Sequence, residues 1–272
     1  MMVLSRSPAA RAARILARCA FYVGMIFLIL PIVVVVISSF TAGDVVSFPP
    51  QGWSTRWYGI AAGRQDFLSS LWLTLVLAVV VTFISLVLGL ITALTIVRGR
   101  YRGRGALSVA ALAPLFVPNV VIGFAALPVM AAIGLLGSIW AVLIAYVIIV
   151  FPMIVRALIG TIESLNSSTE EAARVFGATP LRAFLTVTLP LAARGIFAGA
   201  IFSFVAVLDE AVIIAFIGGT NTVTFPMRLF SYIAETYDPV ASVFATLMIV
   251  ATTALMLVLD RLIGFERLGS NR

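Results

Sequence analysis

The chain has 272 residues, of which 62% are hydrophobic and 11% are charged, with a mean hydropathy of +1.17. Because a soluble domain carries about 25% charged residues, this composition excludes a soluble globular enzyme and makes the bilayer the relevant solvent. The sequence contains no His, and all 18 of its positive charges are Arg. A P-loop nucleotide site needs its Lys, and zinc ligation or His-dependent catalysis needs His, so any energy source must lie in a partner.

Long uncharged runs predict an all-α, polytopic membrane protein with six transmembrane helices in a single domain. We expect the spans at about 20–40, 69–97, 106–133, 138–159, 194–217 and 239–262, since about 20 helical residues cross the ~30 Å hydrocarbon core. The uncharged run 105–155 is too long for one crossing, and Gly134, Gly137 and Ser138 predict a turn within it. The third span carries three prolines, Pro114, Pro118 and Pro128. Proline removes a backbone donor, so these positions predict a bent, pathway-lining helix.

The distribution of arginines predicts the orientation of the spans. With the amino terminus in the cytoplasm, 15 of the 18 arginines fall inside and only Arg56, Arg64 and Arg228 fall outside. The positive-inside rule therefore predicts cytoplasmic amino and carboxyl termini. The first apolar run is longer than the 7–15 residues of a signal-peptide core, so we expect a retained helix. The net charge of +7 is then mainly a topological signal and not a nucleic-acid site.

Two features are expected on the outer side. Trp53, Trp57 and Tyr58 suit a segment lying at the level of the lipid headgroups, where aromatic side chains anchor membrane proteins. Asp238 followed by Pro239 predicts the N-cap and first residue of the last span. Neither feature requires a ligand.

The inner connection at 163–190 is better patterned than a simple linker. Ser168 followed by Glu171 predicts a capping box, in which each side chain satisfies a free backbone donor of the first helical turn. A short helix should therefore start at Ser168 or Thr169, and Gly177 predicts where it stops.

A second short helix is predicted after this stop. Thr179 is a suitable N-cap with Pro180 at the first helical position, and we expect the helix to break at Pro190. The pattern alone is equally compatible with two interpretations: interfacial helices that lie on the membrane, and a projecting element that docks into another protein.

Two adjacent carboxylates, Asp209 and Glu210, are predicted inside the fifth span. At 1.5 Å per residue they lie about 22 Å from the border at Arg194. A charge facing lipid costs about 2.5–3.5 kcal/mol, so at least one carboxylate should face the bundle interior or an aqueous cavity. Neighbouring helical residues point about 100° apart, which argues against one shared ligand. A cation-attracting stretch of a solute pathway and a structural pair held by backbone amides or by Arg228 both remain open.

The inner loop resembles the EAA loop of ATP-binding-cassette importer permeases. The resemblance rests on Glu171-Ala172-Ala173, then three residues, Gly177, then nine residues and Val187-Thr188-Leu189-Pro190, with Val187 where the family more often has Ile. In that family the loop forms a coupling helix, which inserts into a groove on the ATPase subunit. The resemblance implies an ATPase-coupling role for eight residues: Glu170, Glu171, Ala172, Ala173, Gly177, Ala178, Leu189 and Pro190.

The resemblance extends over the whole chain to the spermidine/putrescine-type permeases. Phe48-Pro49-Pro50 and Trp57-Tyr58 are similar to their external segment, and Asp209-Glu210-Ala211-Val212 and the run 226–232 to their C-type (PotC-like) subunit. Leu73-Thr74 departs from the Asn-Ser that such permeases often show. The resemblance implies a bacterial inner-membrane permease subunit that is not itself an enzyme and binds no cofactor. ATP and Mg would belong to a partner ATPase dimer.

The same resemblance implies two further partners, a second homologous permease and an extracytoplasmic solute-binding protein. Polyamines, other amines, opine-like compounds and phosphonates remain open as solutes, and Asp209 and Glu210 are the candidates for the substrate pathway. A second class of function is a self-sufficient secondary transporter or channel that uses Asp209 or Glu210 as an ion site. Such a protein would not require the capped inner loop. An intramembrane enzyme has little support without clustered catalytic groups.

Overall fold

The computed structural model describes residues 8–263, which are helical apart from loops and an isolated bridge between Thr41 and Trp53. The long helices are α1 Pro8–Ser38, α3 Gln65–Arg98, α6 Ile139–Ser164, α9 Leu189–Asp209 and α12 Val240–Ile263. The shorter helices are α2 Arg56–Ala62, α4 Arg104–Leu112, α5 Asn119–Ala132, α7 Ser167–Val175, α8 Pro180–Ala183, α10 Ile214–Ile217 and α11 Phe225–Glu235. The all-α prediction is confirmed.

Five helical stretches within residues 8–263 are long and apolar enough to cross a membrane, and the bent pair Arg104–Phe116 and Asn119–Ala132 makes a sixth if it is one span. The protein is therefore polytopic. The two parts of the pair meet at 104°. The chain bends where Val117 is extended before Pro118, because proline disfavours the helical conformation in the residue before it. The predicted bend is confirmed, whereas Pro128 lies inside α5 without ending it.

Contacts divide the chain into two compact units, and the larger one comprises residues 65–232 and 255–263 of the described chain. Its centre is formed by α3, α6 and α9. The side chains of Val81, Tyr146 and Val207 from these three helices are fully buried. Helices α3 and α6 approach closely, since a Cβ on Gly89 would lie 2.6 Å from Ile154 Cγ2. Such small-residue contacts are how membrane helices pack without a hydrophobic driving force between them.

The turn between α5 and α6 follows the sequence prediction. Gly134 and Gly137 have φ of +72° and +78°, values that favour glycine. Ser138 caps α6 by accepting a hydrogen bond from the Ala141 N–H at 3.3 Å. The predicted turn is confirmed.

The smaller unit comprises residues 8–64 and 233–254 of the described chain. The prediction of three interfacial aromatic anchors is wrong for Trp57, which is 8% exposed while Trp53 is 71% exposed. The Trp57 indole N–H donates to the Gly43 carbonyl at 3.1 Å, and the Tyr58 and Ser39 hydroxyls are 2.8 Å apart. Trp57 and Tyr58 therefore hold the external segment together by internal hydrogen bonds.

The start of α12, in this smaller unit, follows the prediction. Asp238 caps α12 by accepting from the Val240 N–H at 3.1 Å, as predicted.

The apolar side chains of α1 from residue 20 to residue 30 are exposed apart from the half-buried Gly24, so their cover in the membrane must come from lipid or another chain. Arg6, Arg267 and Arg272, on which the predicted orientation partly depends, lie outside the described residues.

Candidate functional site

The inner loop begins with a helix whose cap differs from the predicted one. Helix α7 starts at Ser167, and its N-cap is Asn166, whose side chain accepts a hydrogen bond from the Ser168 N–H at 3.0 Å. The predicted capping box of Ser168 and Glu171 is wrong. Asn is as strong an N-cap as Ser. Asn166 lies two residues before the predicted cap and accepts from the Ser168 N–H, so Ser168 lies inside the helix.

The end of α7 follows the prediction. Gly177 has φ of +91°, and it donates to the Arg174 carbonyl while Ala178 donates to the Ala173 carbonyl, at 3.0 and 3.1 Å. These two bonds form a Schellman motif, in which a left-handed glycine closes the helix. A Cβ at Gly177 would meet no atom within 4 Å, so the position faces open space.

The second inner helix begins as predicted but does not end at Pro190. The Thr179 hydroxyl caps α8 by accepting from the Arg182 N–H at 3.3 Å. The helix then continues through a π-helical segment, Phe184–Thr188, into α9 as one 30-residue stretch. Pro190 lies in the first turn of α9, directly after the π turn. The wider i→i+5 turn accommodates a residue without an N–H, so the predicted break is wrong.

The tip of the inner loop is apolar and exposed. Val175 and Phe176, at the end of α7, are 84% and 91% exposed, and Leu181 in α8 is 67% exposed. Large side chains that protrude together in this way mark an interaction surface. We call the segment from Val175 to Leu181 the apolar tip.

The opposite end of α7 is tied to two long helices through Glu170. Its carboxylate accepts hydrogen bonds from the Arg98 guanidinium, at the end of α3, and from the Thr188 hydroxyl, at the end of the π segment. Arg98 also donates to Thr188 at 3.5 Å. We call Arg98, Glu170 and Thr188 the inner tie. It fixes the first turn of α7 to the end of one long helix and the start of another.

Two opposing effects act on the pKa of Glu170. Burial raises the pKa of this carboxyl, while the hydrogen bonds from Thr188 and Arg98 and the charges of Arg98 and Arg174 lower it. The lowering effects together are larger, so the pKa of Glu170 lies below its usual range. The inner tie therefore remains ionised at neutral pH.

The other candidate coupling residues surround these features. Glu171, Ala172 and Pro190 are exposed, whereas Ala173, Ala178 and Leu189 are partly buried. A cavity of about 960 Å³ opens beside α7 and the loop after α3. Its charged lining residues are Arg98, Arg100, Arg104, Glu163, Glu170, Glu171 and Arg174. A cavity with charges of both signs suits contact with a protein better than passage of an apolar solute.

The two membrane carboxylates have different surroundings. The predicted fifth span, 194–217, is wrong at its outer end, because α9 ends at Asp209 and Glu210 is extended with ψ of 112°. A separate short helix, α10, follows. Asp209 is exposed, and its side chain makes no hydrogen bond or ion pair with the side chains that the structure describes. Glu210 is 6% exposed.

The buried Glu210 is fully engaged by neighbouring donors. Its Oε2 accepts from the Asn119 side-chain amide at 2.6 Å and its Oε1 from the Ile213 N–H at 2.8 Å. The Tyr146 hydroxyl donates to the Glu210 carbonyl oxygen at 2.8 Å. Arg228, considered as a partner from the sequence, forms no ion pair with Glu210 among the described residues, and its Nε is buried without a partner.

Sequence reasoning missed the partners of both Glu170 and Glu210. Asn119 is the only amide side chain in the run 105–155. A polar side chain in a membrane segment calls for a partner, so this signal was available. Thr188 and Arg98 gave no comparable signal, since a hydroxyl next to an apolar run and an arginine at a helix end are both ordinary. In the part of the chain described here, no group of three His, Cys, Asp or Glu could hold a metal ion.

A family model described as "Binding-protein-dependent transport system inner membrane component" matches residues 85–265. The putrescine transport system permease protein PotI of Escherichia coli (strain K12) is 33% identical over 237 residues, which cover 83% of each chain. The spermidine/putrescine transport system permease protein PotC of Haemophilus influenzae is 27% identical, over 92% of this chain and 97% of that protein.

A solved structure is similar over almost the whole chain. It belongs to a bacterial ABC transporter involved in the import of the acidic polysaccharide alginate. The TM-score is 0.75 at 18% identity, and the match covers 94% of this chain and 98% of the other. At this identity the likeness shows the fold alone.

Proposed function

Because the chain belongs to the family of binding-protein-dependent transport system inner membrane components, and is thus a permease subunit of an ATP-binding-cassette importer, we propose that its solute is a polyamine or a related amine-bearing small molecule. The observation that carries this proposal is the likeness to permeases named for putrescine and for spermidine/putrescine. Membership in the family decides against a self-sufficient secondary transporter or channel.

Asp209 supplies the chemistry that an amine would need. Its carboxylate is exposed and without a partner among the described side chains. It stands at the C-terminal end of α9, where the last carbonyls of a helix lack intrahelical partners and the helix dipole is negative. The negative charge of Asp209 and the negative end of the α9 dipole reinforce each other, so this end of α9 attracts cations. Interrupted helices in other transporters use their C-terminal ends in the same way.

The coupling to ATP is proposed to act through the apolar tip. An ATPase subunit that covers Val175, Phe176 and Leu181 would bury the most exposed apolar side chains of the inner loop. Small residues at Ala172, Ala173, Gly177 and Ala178 allow close approach, and Glu171 is free to face the partner. The inner tie would then pass movement of α7 to α3 and α9. Leu189 and Pro190, the first two residues of α9, would determine where that movement is transmitted to this helix.

The assembly proposed around this chain has four components. They are this single permease domain, a second homologous permease, an extracytoplasmic solute-binding protein and a dimer of ATPase subunits that carries the ATP and Mg. The arginine distribution supports an orientation with cytoplasmic termini, which puts the apolar tip on the side of the ATPase.

The solute is tested by uptake into liposomes that contain the assembled importer. Spermidine and putrescine should both be carried when ATP is present inside. Asp209→Asn should raise the KM for either solute at least about tenfold, because a hydrogen bond to a charged partner is worth about 1.5–3 kcal/mol and 1.4 kcal/mol is a factor of ten. The control is Asp44→Asn, another exposed carboxylate, which is paired with Arg56. Equal KM values for the two variants would contradict the role of Asp209, and absence of polyamine uptake would contradict the solute.

The docking surface is tested by co-purification with the ATPase. Gly177→Glu should abolish recovery of the complex, because it places a long charged side chain at the apolar tip. Gly177→Ala imposes the same backbone strain at positive φ without the bulk or charge and should retain the ATPase. Recovery of the complex with both variants would overturn the proposed docking.

A further inference from the structure

Glu210 lies where the two interrupted helical stretches of the larger unit meet. One interruption is at Pro118, directly before α5, and the other is at Glu210, directly after α9. We infer that Glu210, Asn119 and Tyr146 form a rigid clamp, in which Glu210 is a positioning residue that holds both interruptions together and does not contact solute. The clamp does not depend on which solute is carried. The separate role of Asp209, as the carboxylate that attracts the solute, rests on the proposed function.

The clamp joins three helical elements through one residue. The Glu210 carboxylate reaches Asn119, the first residue of α5, and also the Ile213 N–H that leads into α10. The Glu210 carbonyl reaches Tyr146, which is fully buried in α6. Because one residue satisfies all three contacts, the end of α9 cannot shift relative to α5 or α6 without breaking hydrogen bonds in a buried place.

Apolar contacts beside the clamp reinforce the same junction. A Cβ on Gly123 of α5 would lie 2.8 Å from the Phe216 ring and 3.2 Å from the Ile213 Cα. The rings of Phe124 and Phe216 pack edge to face with centroids 6.4 Å apart. Helix α5 therefore contacts α10 at a distance that only a glycine permits, and the polar and apolar contacts fix one mutual position.

The buried charge explains why the clamp should stay closed while solute crosses. Both carboxylate oxygens of Glu210 already accept from N–H donors, and the residue is 6% exposed. Opening the clamp would leave a charge and two donors unpaired in a buried place, and unpaired buried charges are strongly disfavoured. An ammonium group could bind Glu210 only by displacing these donors. Asp209, next to it, presents a carboxylate that needs no such displacement.

The hydrogen-bonding capacity of the side chains supplies a test that separates a clamp from a ligand. In Asn119→Asp two carboxylates face each other, and neither can donate unless it takes up a proton, so the contact is weakened at neutral pH. In Glu210→Gln the Asn119 amide can turn its oxygen toward the new amide, so both side-chain hydrogen bonds survive without the charge. In the double variant the new amide at position 210 donates to the new carboxylate at position 119 and still accepts from the Ile213 N–H.

The three variants are compared in the assembled importer, reconstituted in liposomes and assayed with radiolabelled putrescine. We expect Asn119→Asp to lower the maximal rate at least tenfold, while Glu210→Gln and the double variant stay within threefold of the wild type. The KM should remain within twofold in all three. A tenfold increase in the KM of Glu210→Gln would show a solute ligand and overturn the clamp. A double variant as slow as Asn119→Asp would overturn it as well.

A second measurement keeps this result separate from the identity of the solute. The thermal unfolding midpoint of the purified complex should fall in Asn119→Asp and recover in the double variant. If the wild type carries no putrescine but the midpoints follow this order, the proposed solute fails and the clamp stands. If the midpoints of all three variants equal that of the wild type, the clamp fails whatever the solute.

Discussion

The inner tie and the clamp both centre on a glutamate that joins three elements, but they stabilise its charge in different ways. Glu170 has a guanidinium partner, and its side chain is 17% exposed. Glu210 is buried and receives only an amide and a backbone N–H. A charge held by an opposite charge near water can exchange partners at low cost, whereas a buried charge held by fixed dipoles cannot. The inner tie is therefore suited to transmit movement and the clamp to resist it.

The largest effect should come from removing the clamp carboxylate. Glu210→Ala leaves the Asn119 amide and the Ile213 N–H without acceptors, and each unsatisfied buried group costs about 1–3 kcal/mol. We expect the complex to lose about 2–4 kcal/mol of unfolding free energy, measured by denaturant titration in micelles. Asp209→Ala is the matched control and should change it by less than about 0.5 kcal/mol, since Asp209 is exposed. Equal losses in the two variants would remove the distinction between the adjacent carboxylates.

A smaller effect is expected from reversing the inner tie. Arg98→Glu places two carboxylates together in a partly buried site and should cost about 1–2 kcal/mol, between exposed and buried ion pairs. It should also slow ATP-driven uptake about tenfold. The reversed pair, with Glu170→Arg added, should recover most of both losses, because the Thr188 hydroxyl accepts as well as donates.

The control for this reversal is the exposed ion pair of Arg56 and Asp44, whose side chains are 45% and 85% exposed. Reversing it should change stability by less than about 0.5 kcal/mol. If the reversed inner tie remains as slow as Arg98→Glu alone, the identity of each side chain matters beyond its charge, and the tie does not act as a simple ion pair.

The two glutamates also show which features of the structure could be predicted from the sequence. Composition and run length predicted the helices, because burial in lipid demands long apolar segments. The stop at Gly177 and the turn that contains Gly134, Gly137 and Ser138 were predictable, since positive φ and capping are local. Asn119 could be recognised as a residue that needs a partner, but its pairing with Glu210 and that of Arg98 with Glu170 could not be predicted, because the paired residues lie 91 and 72 residues apart in the chain. Long-range pairing depends on how helices pack, which periodicity does not specify.

The errors at Ser168, Pro190 and the end of the fifth span have local causes that compete. Asn166 caps α7 two residues before Ser168, by accepting from the Ser168 N–H. A π turn accommodates Pro190, which was expected to end the second inner helix. At Glu210 the helix stops because the carboxylate bonds the Ile213 N–H and so stabilises a turn. In each place a side-chain hydrogen bond or a wider turn decides the local backbone conformation, and helix propensity alone does not predict which conformation is adopted.

The smallest expected effect is the pH dependence of the inner tie. The pKa of Glu170 in the folded protein is lowered, so its contribution to stability is present above the unfolded value of about 4.3 and is lost as the pH falls through the lower folded value. The stability difference between wild type and Glu170→Gln should thus be constant from pH 8 to about 5 and shrink below about 4.3. In an Arg98→Gln background this difference should be smaller throughout, because Arg98 is one of the causes of the lowered pKa. A difference that instead titrates near neutral pH would mean that burial outweighs the charges around Glu170, and the inner tie would then resemble the clamp in being held by its surroundings and not by an opposite charge.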